Sequence, residues 1–283
     1  MGFNLDEIAV RAAFSQPDPD GTFSGAFGAY LREMSARRPA VIFAFPPKAA
    51  GTFLRSAAIE ATDGQLARIS HAQGGRDAQP YLPLFIAYYA GLFGDKTMVT
   101  HGHMQALPAN CHFLEAFDLR PIIMVRPIAD MLTSYWDMLE HDDLALAEGL
   151  NCSIPPAFRA LSREHKAQYL IDIVAPWYAG YYATWFAYAE HDPRRVCMLV
   201  YDDFRHAPAE ALATALSHAR VPRSREVCAA AVQAVWAERV QWRFNRGIGG
   251  RGKDYFNGSQ IAQIGQMLSY YAIRGARLES LIG

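Results

Sequence analysis

The chain has 283 residues, 51% of them hydrophobic and 19% charged, a balance that suits one large domain with a generous core. A net charge of −1 excludes the global basic field that holds nucleic acid by its backbone, so any bound anion must be gripped by local groups. Cys111, Cys152, Cys197 and Cys228 are scattered and form no CxxC or Cys/His grouping, so they define neither a disulfide framework nor a metal site.

The first residues, MGFNLDEIAVRAAF, carry acids and lack an apolar signal core, and Asp6 stands where a myristoylation signal needs Ser or Thr. A cytoplasmic protein is the expectation. The first strand is expected over 40–45 (AVIFAF), followed by a loop, PPKAAGTF, and a helix over 52–62. Further strands are expected over 97–101, 121–125 and 196–201, and helices over 129–139, 166–189, 208–219, 225–238 and 259–278. The strand runs are continuously apolar rather than alternating, the pattern of strands covered on both faces in a parallel sheet. Alternation of strand and helix along one uninterrupted chain implies a single α/β domain over 1–283: a central, mainly parallel sheet flanked by helices in three layers.

Residues 170–189 are long enough to span a bilayer. Asp172, Pro176, Gly180 and four tyrosines favour a buried aromatic helix instead, so no stable membrane insertion is expected. The polar, Gly-rich stretch 62–81 and the mixed stretch 141–165 break the pattern and are expected to be excursions from the sheet.

The order strand, lysine-bearing loop, helix aims backbone N–H groups and a helix N-terminus at an anion. Lys48 adds a point charge, Thr52 a hydroxyl, and Ala49, Ala50 and Gly51 keep the loop backbone close to its ligand. The lysine precedes the Gly-Thr pair, so this is not GxxxxGK[ST] and an ordinary ATP or GTP site is disfavoured. The same residues could instead form a surface turn capped by Thr52. A second anion site is suggested by RPIADMLTSYW. Arg126 ends a strand, Pro127 opens a helix, and Ser134 falls about two turns further on. A guanidinium and a hydroxyl so placed could clamp a phosphate, or Arg126 could simply pair with Asp130.

These segments resemble the signatures of sulfotransferases that use 3′-phosphoadenosine-5′-phosphosulfate (PAPS). Pro47 to Phe53 is similar to the family's PKSGTTW loop, with Ala50 replacing its glycine and Gly51 its first threonine. The resemblance implies a P-loop-like fold in which Lys48, Ala49, Ala50, Gly51 and Thr52 bind the 5′-phosphosulfate and Phe53 lies against adenine. Arg126, Asp130, Ser134 and Tyr135 keep the spacing of the family's R-x-P-x-D-x-x-x-S-Y signature, which recognises the 3′-phosphate. Phe244 to Lys253 resembles RKGxxGDWK, with Gly252 at the tryptophan position. Arg246 and Gly247 would complete the 3′-phosphate pocket. Tyr201 belongs to VYDDF, similar to the family's YEDM, and is placed with the cofactor. Together the matches run from about residue 40 to 256 in the family's order.

Transfer of a sulfuryl group needs an acceptor in line, positive charge on the leaving side and a base, for which histidine is the usual choice near neutral pH. VTHGHMQALP resembles the family's KTHLPxxLLP and places His101 on the catalytic histidine, with His103 as an alternative base or a neighbour in the acceptor pocket. The implied reaction is transfer from PAPS to a hydroxyl of a small molecule, lipid or sugar, leaving 3′,5′-bisphosphoadenosine (PAP). The alternatives are a small-molecule kinase of the P-loop class and a non-catalytic nucleotide-binding protein. A homodimer is admitted, although no residue pattern requires it. Tyr81 to Phe93, with Tyr135 and Trp136, could wall an apolar or phenolic acceptor, or simply be core.

Overall fold

The computed structural model describes residues 29, 33, 36–70, 76–77, 79–81, 84–85, 88, 96–141, 154, 157–238 and 249–283. Among the described residues five strands form one sheet: β1 (Ala40–Phe43), β2 (Gln65–Leu66), β3 (Met98–His101), β4 (Pro121–Val125) and β5 (Cys197–Val200). Their order is β2-β3-β1-β4-β5 and every pairing is parallel. The central strands β1 and β4 are buried throughout, which is why their sequences are apolar at every position. Pairing of β1 stops at Phe43, two residues before the expected end. The chain there runs into Pro46 and Pro47, which have no N–H to give to a ladder.

The helices are α1 (Gly51–Thr62), α2 (Pro108–Ala116), α3 (Ile128–His141), α4 (Arg163–Tyr169), α5 (Ala175–His191), α6 (Tyr201–His206), α7 (Pro208–His218), α8 (Arg225–Ala237), α9 (Gly252–Tyr255), α10 (Gly258–Tyr270) and α11 (Ala276–Ile282). A π-turn, Leu170–Val174, joins α4 to α5, so the helix expected over 166–189 is continuous but wider at this point. The missing N–H of Pro176 accounts for the local change of hydrogen-bond pattern. The helix expected over 259–278 is two helices. Ala272 adopts φ 57° and the Ile273 N–H reaches back to the Leu268 carbonyl (3.3 Å), a left-handed stop that closes α10.

Packing follows the burial pattern: α1 lies on β1 and β3 and against α8, while α3 and α5 pack on each other and on α10. Within the stretch 62–81, β2 extends the sheet beside β3. Among the described residues no helix is long and apolar enough to cross a membrane. The tyrosines that interrupt the apolar run of α5 are buried and put to polar use at the strand ends.

After β1 the chain leaves through α1 towards β2, and after β4 it leaves towards β5. The crevice between the carboxyl ends of β1 and β4 is therefore the topological switch point, where open α/β sheets receive their ligands.

Candidate active site

The loop leaving β1 is held in an uncommon backbone conformation. Lys48 (φ 65°) and Ala50 (φ 63°) are both left-handed although neither is glycine, at a cost of about 1–2 kcal/mol each. A residue of negative φ between two left-handed ones curls successive N–H groups towards one side, the geometry of an anion nest. Ala50 is also the N-cap of α1 and offers no side chain to the first turn, whose N–H groups point into the same crevice. Ala49 is buried and Thr52 is exposed on that turn. Phe53 is buried, edge-on to Phe204 (5.8 Å between centroids) and tilted against Trp236 (5.0 Å).

Arg126 leaves the end of β4 only 6% exposed. Its Nη1 donates to the Lys48 carbonyl, and the guanidinium carbon lies 3.9 Å from the centroid of the Tyr201 ring. Among the described residues its buried Nε has no hydrogen-bond partner. A buried guanidinium edge without an acceptor is costly, and an anionic oxygen would satisfy it. Tyr201 thus enters the site as the platform beneath Arg126. Ser134 is also buried, one turn beyond Asp130 on the same face of α3.

Asp130 does not pair with Arg126. Its carboxylate accepts the backbone N–H of Gly250 (2.7 Å) and of Gly252 (2.8 Å), pinning the glycine-rich segment to the first turn of α3. Arg251 and Tyr255 extend the clasp to Asp137, each at 2.8 Å. A Cβ on Gly252 would lie 2.5 Å from that of Ala129, so the tryptophan of the related motif has no room here. Arg246 and Gly247 lie outside the described residues.

The two histidines come together at the end of β3, with ring centroids 5.2 Å apart and planes nearly perpendicular. His103 Nδ1 is 2.9 Å from the Phe45 carbonyl; the carbonyl can only accept, so the proton sits on Nδ1 and Nε2 is the basic nitrogen. His101 Nε2 is buried and has no hydrogen-bond partner among the described residues. Burial, then the charges of His103 and Arg55, hold His101 well below the ordinary imidazole range; burial also lowers His103. Both are therefore neutral at pH 7, as a proton acceptor must be. The His101 ring lies over the start of α1. An added Cβ at Gly51 would fall 2.0 Å from Nε2, so the glycine that departs from the related loop is the one that makes room for this ring.

A row of side chains on one face of α5 braces the site from below. Tyr178 donates to the Pro47 carbonyl (3.1 Å), Tyr181 to that of Ala44 and Trp185 to that of Met104 (3.0 Å). Tyr182 donates to the Met124 carbonyl (3.0 Å) and accepts the Arg126 N–H (3.1 Å). Burial raises the pKa of all three tyrosines, so they remain hydrogen-bond donors. The spacing 178, 181, 182, 185 is a helix face, and that periodicity was the available signal for a tyrosine brace. The anchoring carboxylate of Asp130 had no such local signal. Among the described residues no group of three or more His, Cys, Asp or Glu could hold a metal ion.

No family model and no curated protein matches the chain. Solved structures do. A mouse sulfotransferase crystallised in complex with PAP superposes with a TM-score of 0.60 at 12% identity, covering 89% of this chain and 91% of its own. A sulfotransferase from Alicyclobacillus acidocaldarius gives a TM-score of 0.51 at 13% identity, covering 87% of this chain and 96% of that one. The fold is thus the α/β fold of the sulfotransferases, with β1, the loop 46–50 and α1 at its centre.

Proposed function

We infer that the chain is a PAPS-dependent sulfotransferase acting on a hydroxyl of a small molecule, lipid or sugar. The observation that carries this reading is the pairing of two anion-directed groups across the switch point. On one side is the left-handed loop at Lys48 and Ala50. On the other is Arg126, with its buried Nε unpartnered among the described residues. A nucleotide with phosphates at both its 5′ and 3′ positions matches two such sites, and the mouse sulfotransferase of the same fold was crystallised with PAP.

In this reading Lys48, Thr52 and the N–H groups of Ala49, Ala50 and Gly51 hold the 5′ end, and Arg126 and Ser134 the 3′-phosphate. Phe53 lies near the base, and Arg246 and Gly247 close the pocket. When bound, PAPS supplies the sulfuryl group that passes to the acceptor oxygen. His101 Nε2 takes the proton of the acceptor hydroxyl, and Lys48 with the loop N–H groups bears the negative charge developing on the leaving side. A second assignment, His103 as the base, is favoured by the Phe45 carbonyl, which fixes its ring with Nε2 basic.

Thermal unfolding with PAP, with ATP/Mg²⁺ and with ADP tests the cofactor. PAP should stabilise selectively, by RT ln(1 + [L]/Kd), or about 2.7 kcal/mol at 100 Kd. Stabilisation by ATP/Mg²⁺ alone would point to a kinase. Label transfer from radiolabelled PAPS by His101→Ala and His103→Ala separates the bases, and undiminished turnover in both removes them from the mechanism.

A further inference from the structure

We propose that a second copy of this chain docks on the exposed face of α10, together with Tyr271 and the turn Leu170–Val174, giving a two-fold symmetric dimer.

Residues 255–273 contain no Lys, Arg, Asp, Glu or His, in a chain of which 19% is charged. Full burial would explain that, but α10 buries one side, through Gln260, Ile264 and Leu268. Ala262, Gln266, Ser269 and Tyr270 are exposed and recur three or four residues apart, so they form a stripe along the other side. The outer face of an amphipathic helix ordinarily carries charged residues, and this one is neutral throughout. It ends in large apolar surface: Tyr270 is 76% exposed and Tyr271 47%, and Ile173 on the neighbouring turn is 45% exposed. The two tyrosines alone present roughly 250 Å², about a third of the 800 Å² that one partner gives to a standard interface.

These pieces are fastened to one another. Gln168 Nε2, on α4, donates to Gln263 Oε1 on α10 (3.0 Å) and to Asp172 Oδ1 (2.9 Å), which ties the turn bearing Ile173 to α10. The Tyr271 hydroxyl lies 3.8 Å from where a Cβ at Gly180 would stand, and Gly180 is two turns beyond Ile173. Charge returns at the edges: Lys253 and Asp254 before α10, Asp172 beside Ile173, Arg274 after Ile273, and the ion pair of Arg277 with Glu190. A neutral, tyrosine-bearing centre inside a charged rim is the anatomy of a protein interface.

The chemistry of the face selects the partner. Across a two-fold axis a surface meets itself, so any charge it carries is set against its own kind. Gln, Ser and Tyr side chains each hold both a donor and an acceptor and can pair with identical groups. Gln266 and Tyr270 show that compatibility within α10, where Gln266 Nε2 donates to the Tyr270 hydroxyl (3.1 Å). A face without charge offers a foreign protein no electrostatic code to read.

Sedimentation velocity of the full chain from about 1 to 100 μM should show a monomer–dimer equilibrium. Tyr270→Glu and Tyr270→Lys each set like charges on both copies and should weaken the dimer about tenfold or more, whereas Tyr270→Phe should keep it. Thermal unfolding at low concentration, where every variant is monomeric, checks that the fold is retained. Amide exchange in the wild type should slow with concentration over 170–174 and 258–271, and not over α8, which packs on α1. A chain that stays monomeric to about 100 μM overturns the proposal, as does a dimer whose constant is unmoved by Tyr270→Glu and whose protection lies elsewhere. Protection of the α10 face by phosphatidylcholine vesicles, without any response to protein concentration, would assign it to a lipid surface and equally overturn the proposal.

Discussion

Replacing Gly51 by alanine sets two effects of known sign against each other. At the first position of α1, alanine gains about 1 kcal/mol of helix propensity over glycine. The new methyl, however, would stand 2.0 Å from His101 Nε2, 2.5 Å from Cδ2 and 2.6 Å from Cε1. Contact between such atoms is relaxed at about 3.5 Å, so the ring must retreat by roughly 1.5 Å or the helix must shift. Overpacking of this kind costs about 1–3 kcal/mol, which leaves a net loss of up to about 2 kcal/mol. In a chain of this length that lowers Tm by a few degrees. Turnover should suffer more, since a displacement near 1 Å at a reacting group can cost about 10²-fold. The assay is a double-mutant cycle with His101→Ala, read by denaturant unfolding. With the ring removed, Gly51→Ala should become neutral or stabilising, giving a coupling of about 1–3 kcal/mol. A cycle that closes with no coupling, and wild-type turnover in the single variant, would refute the packing argument.

Ala50→Gly should raise stability by about 1 kcal/mol, because glycine adopts φ 63° without the Cβ penalty; a fall on thermal unfolding would contradict the strain assigned to the loop. Asp130→Ala strands two N–H groups of the glycine-rich segment and should cost about 3 kcal/mol together with PAP affinity, measured by unfolding and by calorimetry; Asp130→Asn, which keeps one acceptor oxygen, should recover part of both. The depressed pKa values of His101 and His103 give stability a definite pH dependence. Below about pH 6.5 the unfolded chain protonates these imidazoles and the folded one does not, so their contribution, fully present above that pH, is lost as pH falls towards the folded pKa values. Unfolding midpoints from pH 7.5 to 5 should decline, less steeply in His101→Ala.

How much of this was legible in the sequence depended on whether the cause was local. The strands β1 and β4 could be read because burial on both faces leaves an apolar residue at every position. The loop at Lys48 between β1 and α1, and the placing of Arg126 at the end of β4 and Ser134 on α3, could likewise be read from short strings. By contrast, β2 has only two residues, and its strand character comes from the exposed edge of β3 rather than from its own pattern. The end of α10 falls on Ala272, a residue with no intrinsic preference for the left-handed turn it makes. Two of the departures from the related motifs, Gly51 and Gly252, looked like losses in one dimension. In three dimensions each is a close approach, to His101 and to Ala129. The partner of Asp130 could not be foreseen, because it lies 120 residues further along the chain.

The bond from Arg126 to the Lys48 carbonyl has a thermodynamic corollary. One side chain contributes both to the shape of the β1 loop and to the proposed second anion position, so occupancy of either end of the crevice should influence the other reciprocally. The free energies of binding the 5′ and 3′ halves of a nucleotide would then not be additive, and the bisphosphate would gain from cooperativity as well as from its two contacts. Variants at Arg126 would consequently register as defects at both ends. The linkage itself is measured by comparing AMP, adenosine 3′-phosphate and PAP on the unaltered protein.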